Sequence, residues 1–143
     1  IYKEDIGRYG ISSNDISELS QNIINDIGNI KGNMLNAQEY EPSCCKKEDF
    51  IKVYNAYNLE LKRDGKMDFD DILRECYLLL CENHTILEQW RELYKYILID
   101  EFQDINRIQM NIIELLASPL NNIFVVGDDD QSIYGFVEQD RRL

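Results

Sequence analysis

Histidine is almost missing from this sequence. His84 stands alone among 143 residues, which excludes catalysis built on a histidine pair or triad. Two prolines and seven glycines are too few for a disordered or low-complexity chain. With 44% hydrophobic residues over about one domain's length, a folded and largely helical core is expected. Long apolar runs are absent as well, none approaching the roughly 20 residues a membrane span needs. The start, Ile1-Tyr2-Lys3-Glu4-Asp5, does not read as a secretory leader. No membrane association and a cytoplasmic location are therefore expected. The four cysteines are poorly spaced for metal: Cys44 and Cys45 are adjacent, and four residues separate Cys76 from Cys81. Neither pattern is a zinc signature, and adjacent cysteines rarely bridge each other, so reduced thiols are expected.

Negative charge, by contrast, is abundant and uneven. The net charge is -12; nine basic residues face eleven acidic ones up to Lys66, and six face sixteen from Met67 onward. Bulk electrostatics therefore oppose nucleic-acid binding, and any strand contact needs a local surface or parts of a larger protein. The acidic back half is equally compatible with a solvated face.

Apolar residues Ile16, Leu19, Ile23, Ile27 and Ile30 recur at steps of three and four, the helical period, over residues 13–30. Residues 32–46, with Gly32, Pro42 and the cysteine pair, show no period and read as a loop. A second helix is expected from about 47 to 63, striped by Phe50, Tyr54, Tyr57 and Leu61 and stopped at Asp64-Gly65. Two further helices, 72–81 and 86–93, follow Asp68-Phe69-Asp70-Asp71. Residues 96–99 and 122–126 read as strands, apolar on both faces and hence buried and parallel. A helix striped by Ile105, Ile108, Ile112 and Leu115 joins them. Strand, helix, strand is a parallel crossover unit. The fold class is α/β: a mostly helical chain with a small parallel sheet, divided near residue 66.

In parallel α/β sheets, ligands bind beyond the carboxyl ends of the strands. Both inferred strands end in acids, Asp100-Glu101 continued as Phe102-Gln103-Asp104, and Gly127 followed by Asp128, Asp129, Asp130 and Gln131. Carboxylates at two adjacent tips suit magnesium, which favours one or two of them plus waters and phosphate oxygens. Asp100 is placed to hold the ion, and Glu101 to accept a proton from a water attacking a phosphate. Gln131, neutral with donor and acceptor, can sense a terminal phosphate. Taken alone, an Asp-Glu pair after a strand also serves as a turn or helix cap.

The run ILIDEFQDINRIQ resembles motif II of the UvrD/Rep/PcrA family of helicases, and VVGDDDQSIYGF resembles its motif III. MDFDDIL is similar to the segment by which members re-enter the first RecA-like domain after an inserted helical subdomain, and the stretch Val53-Tyr54 to Leu61 to the tyrosine-bearing helix before it. The likeness covers roughly residues 50–136, with Gln131 lying 31 residues after Asp100; the first 49 residues match only loosely. It implies a fragment of a P-loop NTPase: residues 1–66 as part of the inserted subdomain and 67–143 as the C-terminal part of the first RecA-like domain. It implies ATP and Mg²⁺ as ligands of the intact protein, and 3′ to 5′ movement on single-stranded DNA. By the same resemblance Asp100 is the metal ligand, Glu101 the catalytic base and Gln131 the coupler of the γ-phosphate to the DNA path. Tyr134 and Phe136 lie beside DNA, while Gln103, Asp104, Gly127 and Asp128 organise the site; for Tyr134 and Phe136, core packing is the alternative.

The pattern departs from the family after Phe136, where Val137-Glu138-Gln139 replaces the expected arginine, glycine and alanine. No G-x-x-x-x-G-K-[ST] loop is present in these 143 residues, so the isolated chain is expected to be inactive. A non-catalytic, helicase-derived module that binds DNA or protein is the alternative. Dimerisation through apolar surface bared by truncation is a further expectation.

Overall fold

The computed structural model describes residues 13–128. In chain order the elements are α1 (Ser13–Gly32), α2 (Lys47–Arg63), α3 (Phe69–Glu82), α4 (His84–Leu93), β1 (Ile97–Ile99), a short 3₁₀ turn (Phe102–Asp104), α5 (Arg107–Ala117) and β2 (Ile123–Val125). The described residues divide into two compact units, one of residues 13–31 and 35–67, the other of residues 32–34 and 68–128. Among the described residues no helix is long and apolar enough to cross a membrane.

In the first unit the stripe on α1 buries Ile27 and Ile30 against Phe50 of α2, with Ile23, Tyr40, Tyr54 and Tyr57 around them. The connection after α1 lacks periodicity because a polar group, not an apolar stripe, organises it. Asp26, only 5% exposed, accepts hydrogen bonds from the Tyr40 hydroxyl (2.9 Å), the Ser43 amide (2.9 Å) and the Ser43 hydroxyl (3.1 Å). A buried carboxylate is tolerable when donors surround it in this way. α2 stops as Asp64-Gly65 foretells. Gly65 takes φ +63°, Lys66 N–H reaches the Leu61 carbonyl and Gly65 N–H that of Lys62, the paired bonds of a Schellman cap.

In the second unit, α3 begins at Phe69, three residues earlier than the stripe from Ile72 suggested. Asp68 accepts from the Asp71 amide while the Asp71 side chain accepts from the Asp68 amide, a capping box that draws Phe69 and Asp70 into the first turn of α3. α3 packs on α4 and α5, and α4 on α5, burying Leu80, Leu87, Ile108 and Ala117. Arg91 fastens α4 to α5 by donating Nε and Nη2 to the Leu115 carbonyl at 2.9 and 2.7 Å.

α5 connects β1 to β2, which pair in parallel with Ile97 beside Ile123, Leu98 beside Phe124 and Ile99 beside Val125. The fold class is thus α/β, mostly helical with a small two-stranded parallel sheet. The expectation that both strands are buried on both faces is corrected, however. Ile99 is buried, but the register partners Leu98 and Phe124, on the other face, are 76% and 63% exposed. Hydropathy states what a strand could bury, not whether another layer lies over it, and parallel sheets ordinarily have both faces covered.

Candidate functional site

Beyond buried Ile99 the chain emerges at the carboxyl rim of the sheet. Exposed Asp100 accepts the Glu101 amide on Oδ1 at 3.0 Å. Glu101 then adopts φ 50°, ψ 47°, the left-handed region, which costs a residue with a Cβ about 1–2 kcal/mol. This reversal turns the chain out of the strand and into Phe102–Asp104, closed by Asp104 N–H on the Glu101 carbonyl at 2.9 Å. The two strands stay joined past their ends: Val126 N–H donates to the Ile99 carbonyl (2.8 Å) and Phe102 N–H to the Val126 carbonyl (3.0 Å).

Gln103, 7% exposed, lies between the two tips. Its Nε2 donates to Glu101 Oε2 at 2.6 Å, and its Oε1 accepts the Asp128 amide at 3.0 Å. A backbone N–H can only donate, which settles which end of the amide is oxygen. Gly127 makes room for this bridge, since a Cβ there would lie 2.7 Å from Gln103 Oε1 and 3.1 Å from the Phe102 amide nitrogen. Just downstream, Asn106 and Gln109 form a capping box that starts α5. Motif letters therefore encode both the turn and the helix that follows it.

Of the residues singled out in the sequence, Asp100, Glu101, Gln103, Gly127 and Asp128 come together at this rim, and Asp104 sits exposed on the turn beside it. Gln131, Tyr134 and Phe136 lie outside the described residues. No cluster of three or more His, Cys, Asp or Glu side chains suited to a metal occurs among the described residues. The rim offers the smaller donor set, one or two carboxylates, that a magnesium ion sharing phosphate oxygens and waters uses. The bridging role of Gln103 and the backbone reversal at Glu101 were not readable from the letters. A neutral donor-acceptor residue set between two acids is the one hint the sequence holds.

Other candidates are weaker. A cavity of about 220 Å³, lined by Arg91, Tyr94, Ile97, Leu116, Pro119 and Asn122, opens at the starting ends of the strands, the rim opposite the acids. Burial, and then the neighbouring Cys44, pushes the Cys45 thiol above its ordinary range, away from nucleophilic behaviour.

In comparisons with known proteins, the UvrD/REP helicase N-terminal domain matches residues 3–141. The putative ATP-dependent DNA helicase YjcD of Bacillus subtilis (strain 168) is 49% identical over 90 residues, 63% of this chain and 12% of that protein. The probable DNA helicase II homolog of Mycoplasma capricolum subsp. capricolum is 34% identical over 128 residues, 88% of this chain and 18% of its own length. The ATP-dependent DNA helicase Rep of Escherichia coli (strain K12) is 35% identical over 124 residues, 85% of this chain and 18% of Rep. The chain thus spans less than a fifth of these relatives. With a match that runs over nearly its whole length, this chain belongs to the UvrD/REP helicase N-terminal domain family.

Proposed function

We propose that this chain is part of an ATP-dependent DNA helicase and contributes the carboxylates that act on the nucleotide. In this reading residues 1–66 belong to an inserted helical subdomain and residues 67–143 to the C-terminal part of the first RecA-like domain. The observation that carries the reading is the joining of two acidic strand ends at one rim by Gln103, in a chain of this family.

Asp100, exposed at the tip of β1, would hold a magnesium ion, with Asp128 nearby on the other strand end. Bound there, magnesium supplies the positive charge that stabilises a nucleotide's terminal phosphate. Glu101 acts as the base. Gln103 holds Oε2, so proton acceptance from the attacking water falls to Oε1. Gln131 senses the phosphate, and Tyr134 and Phe136 stack on bases of single-stranded DNA, each stack worth about 1–3 kcal/mol. Asp104 and Gly127 shape the site. The phosphate-binding loop comes from elsewhere in the intact protein, which acts in the cytoplasm.

The test replaces Glu101 in the whole helicase that contains this segment. Glu101→Gln is expected to lower kcat for ATP hydrolysis by about 10²–10⁴ while leaving nucleotide affinity largely intact. Turnover unchanged by Glu101→Gln would overturn the assignment and favour a non-catalytic binding module.

A further inference from the structure

We infer that Gln103 is a positioning residue that ties the orientation of the Glu101 carboxylate to the location of the acidic end of β2, an inference that rests on the proposed role of Glu101. Both ends of the amide are committed, one to a charged acceptor at 2.6 Å and one to a backbone donor at 3.0 Å. The group is planar and rigid and is held at 7% exposure, so a shift of the Gly127-Asp128 peptide moves Oε1 and carries Nε2 with it. Glu101 itself is exposed and, without this contact, free to sample its rotamers.

The neighbourhood is built around that one side chain. The left-handed backbone at Glu101 brings its carboxylate to the residue two positions later, and Gly127 forgoes the Cβ that would strike Gln103 Oε1. Few side chains could replace the amide. A carboxylate cannot donate, lysine cannot accept, and methionine, similar in shape, does neither well. The acidic end of β2 at Asp128 and the proposed base at the end of β1 are in this way linked by one residue.

The test uses the full 143-residue chain and no nucleotide. In Gln103→Met, the Asp128 amide should exchange with solvent about tenfold faster, as expected for one lost hydrogen bond. Gln103→Glu sets two carboxylates against each other and should lower the melting temperature. The double swap Glu101→Gln with Gln103→Glu should recover most of that loss. The amide moved to position 101 can donate to the carboxylate moved to position 103, which still accepts the Asp128 N–H. A side chain that merely fills space would show neither effect. Unchanged Asp128 exchange in Gln103→Met, or a double swap that melts no higher than Gln103→Glu, overturns the inference. Should Gln103→Met not fold, the swap alone decides. Because these readouts need no ATP, failure of the bridge is distinguished from failure of Glu101→Gln to slow hydrolysis in the whole helicase.

Discussion

Among the described residues of the rim, Glu101 is the one whose backbone is out of its ordinary range, and its neighbours over-determine that conformation. Its N–H is held by Asp100, its carbonyl by the Asp104 amide and its carboxylate by Gln103. Strain persists at such a place when the surroundings impose it, and here it coincides with the proposed base. Stability and function should therefore diverge on substitution. Glu101→Gly relieves the left-handed penalty but gives up the Gln103 contact and adds freedom to the unfolded chain, so its unfolding free energy should lie within about 1 kcal/mol of the native value. Glu101→Val, branched at Cβ and placed at positive φ, should lose about 2 kcal/mol or more. Urea denaturation midpoints compare the two directly. Equal losses for both variants would show that the backbone at this position is not the constraint.

At the scale of elements, the connection between α1 and α2 depends on one buried carboxylate. Tyr40 donates its hydroxyl to Asp26 and also accepts from Asn29 Nδ2 at 3.1 Å, with its ring 6.0 Å from that of Phe50. Burial first, and then the hydrogen bond to Asp26, raise the Tyr40 phenol above its ordinary value. The folded chain thus binds this proton more tightly than the unfolded chain does. The stabilisation is complete below about pH 10, the unfolded phenol's range, and is lost as pH rises through the higher folded value. The native chain should therefore lose thermal stability more steeply above pH 10 than Tyr40→Phe does, which a pair of melting series across pH 8–11.5 would check; parallel curves would contradict it.

Helices were largely legible in the sequence because their signals are local. The stripe Phe50, Tyr54, Tyr57, Leu61 and the stop at Asp64-Gly65 mark α2 at Lys47–Arg63. α3 was read short because Asp68 and Asp71 act as a capping pair, and acids ahead of an apolar stripe look like loop until their mutual hydrogen bonds are seen. The acidic tips were legible from order and spacing. What joins them was not, because the direction of the Gln103 side chain follows from a backbone reversal that no periodicity records.

At the scale of the whole molecule, two properties oppose each other. A net charge of -12 keeps copies of the chain apart, while Leu98 and Phe124, paired in register on one sheet face, stay exposed with Val126 beside them at 51%. In relatives about five times longer, further chain is available to cover such a face; in the isolated chain a second copy is the nearest apolar partner. Burying a large aliphatic or aromatic side chain contributes about 1.5–3 kcal/mol, and four of them in a symmetric pair are offset by an association cost of about 4–15 kcal/mol. The balance predicts weak, reversible dimers with a Kd above about 1 µM. Salt sharpens the expectation, since at about 1 M the screening length falls to about 3 Å, repulsion between the acidic copies fades and apolar contact remains. Sedimentation velocity should accordingly show more dimer as protein and salt concentrations rise. Leu98→Lys with Phe124→Lys should keep the chain monomeric under the same conditions. Dimers that weaken with salt, or that survive both lysines, would place the contact on charged groups instead of this sheet face.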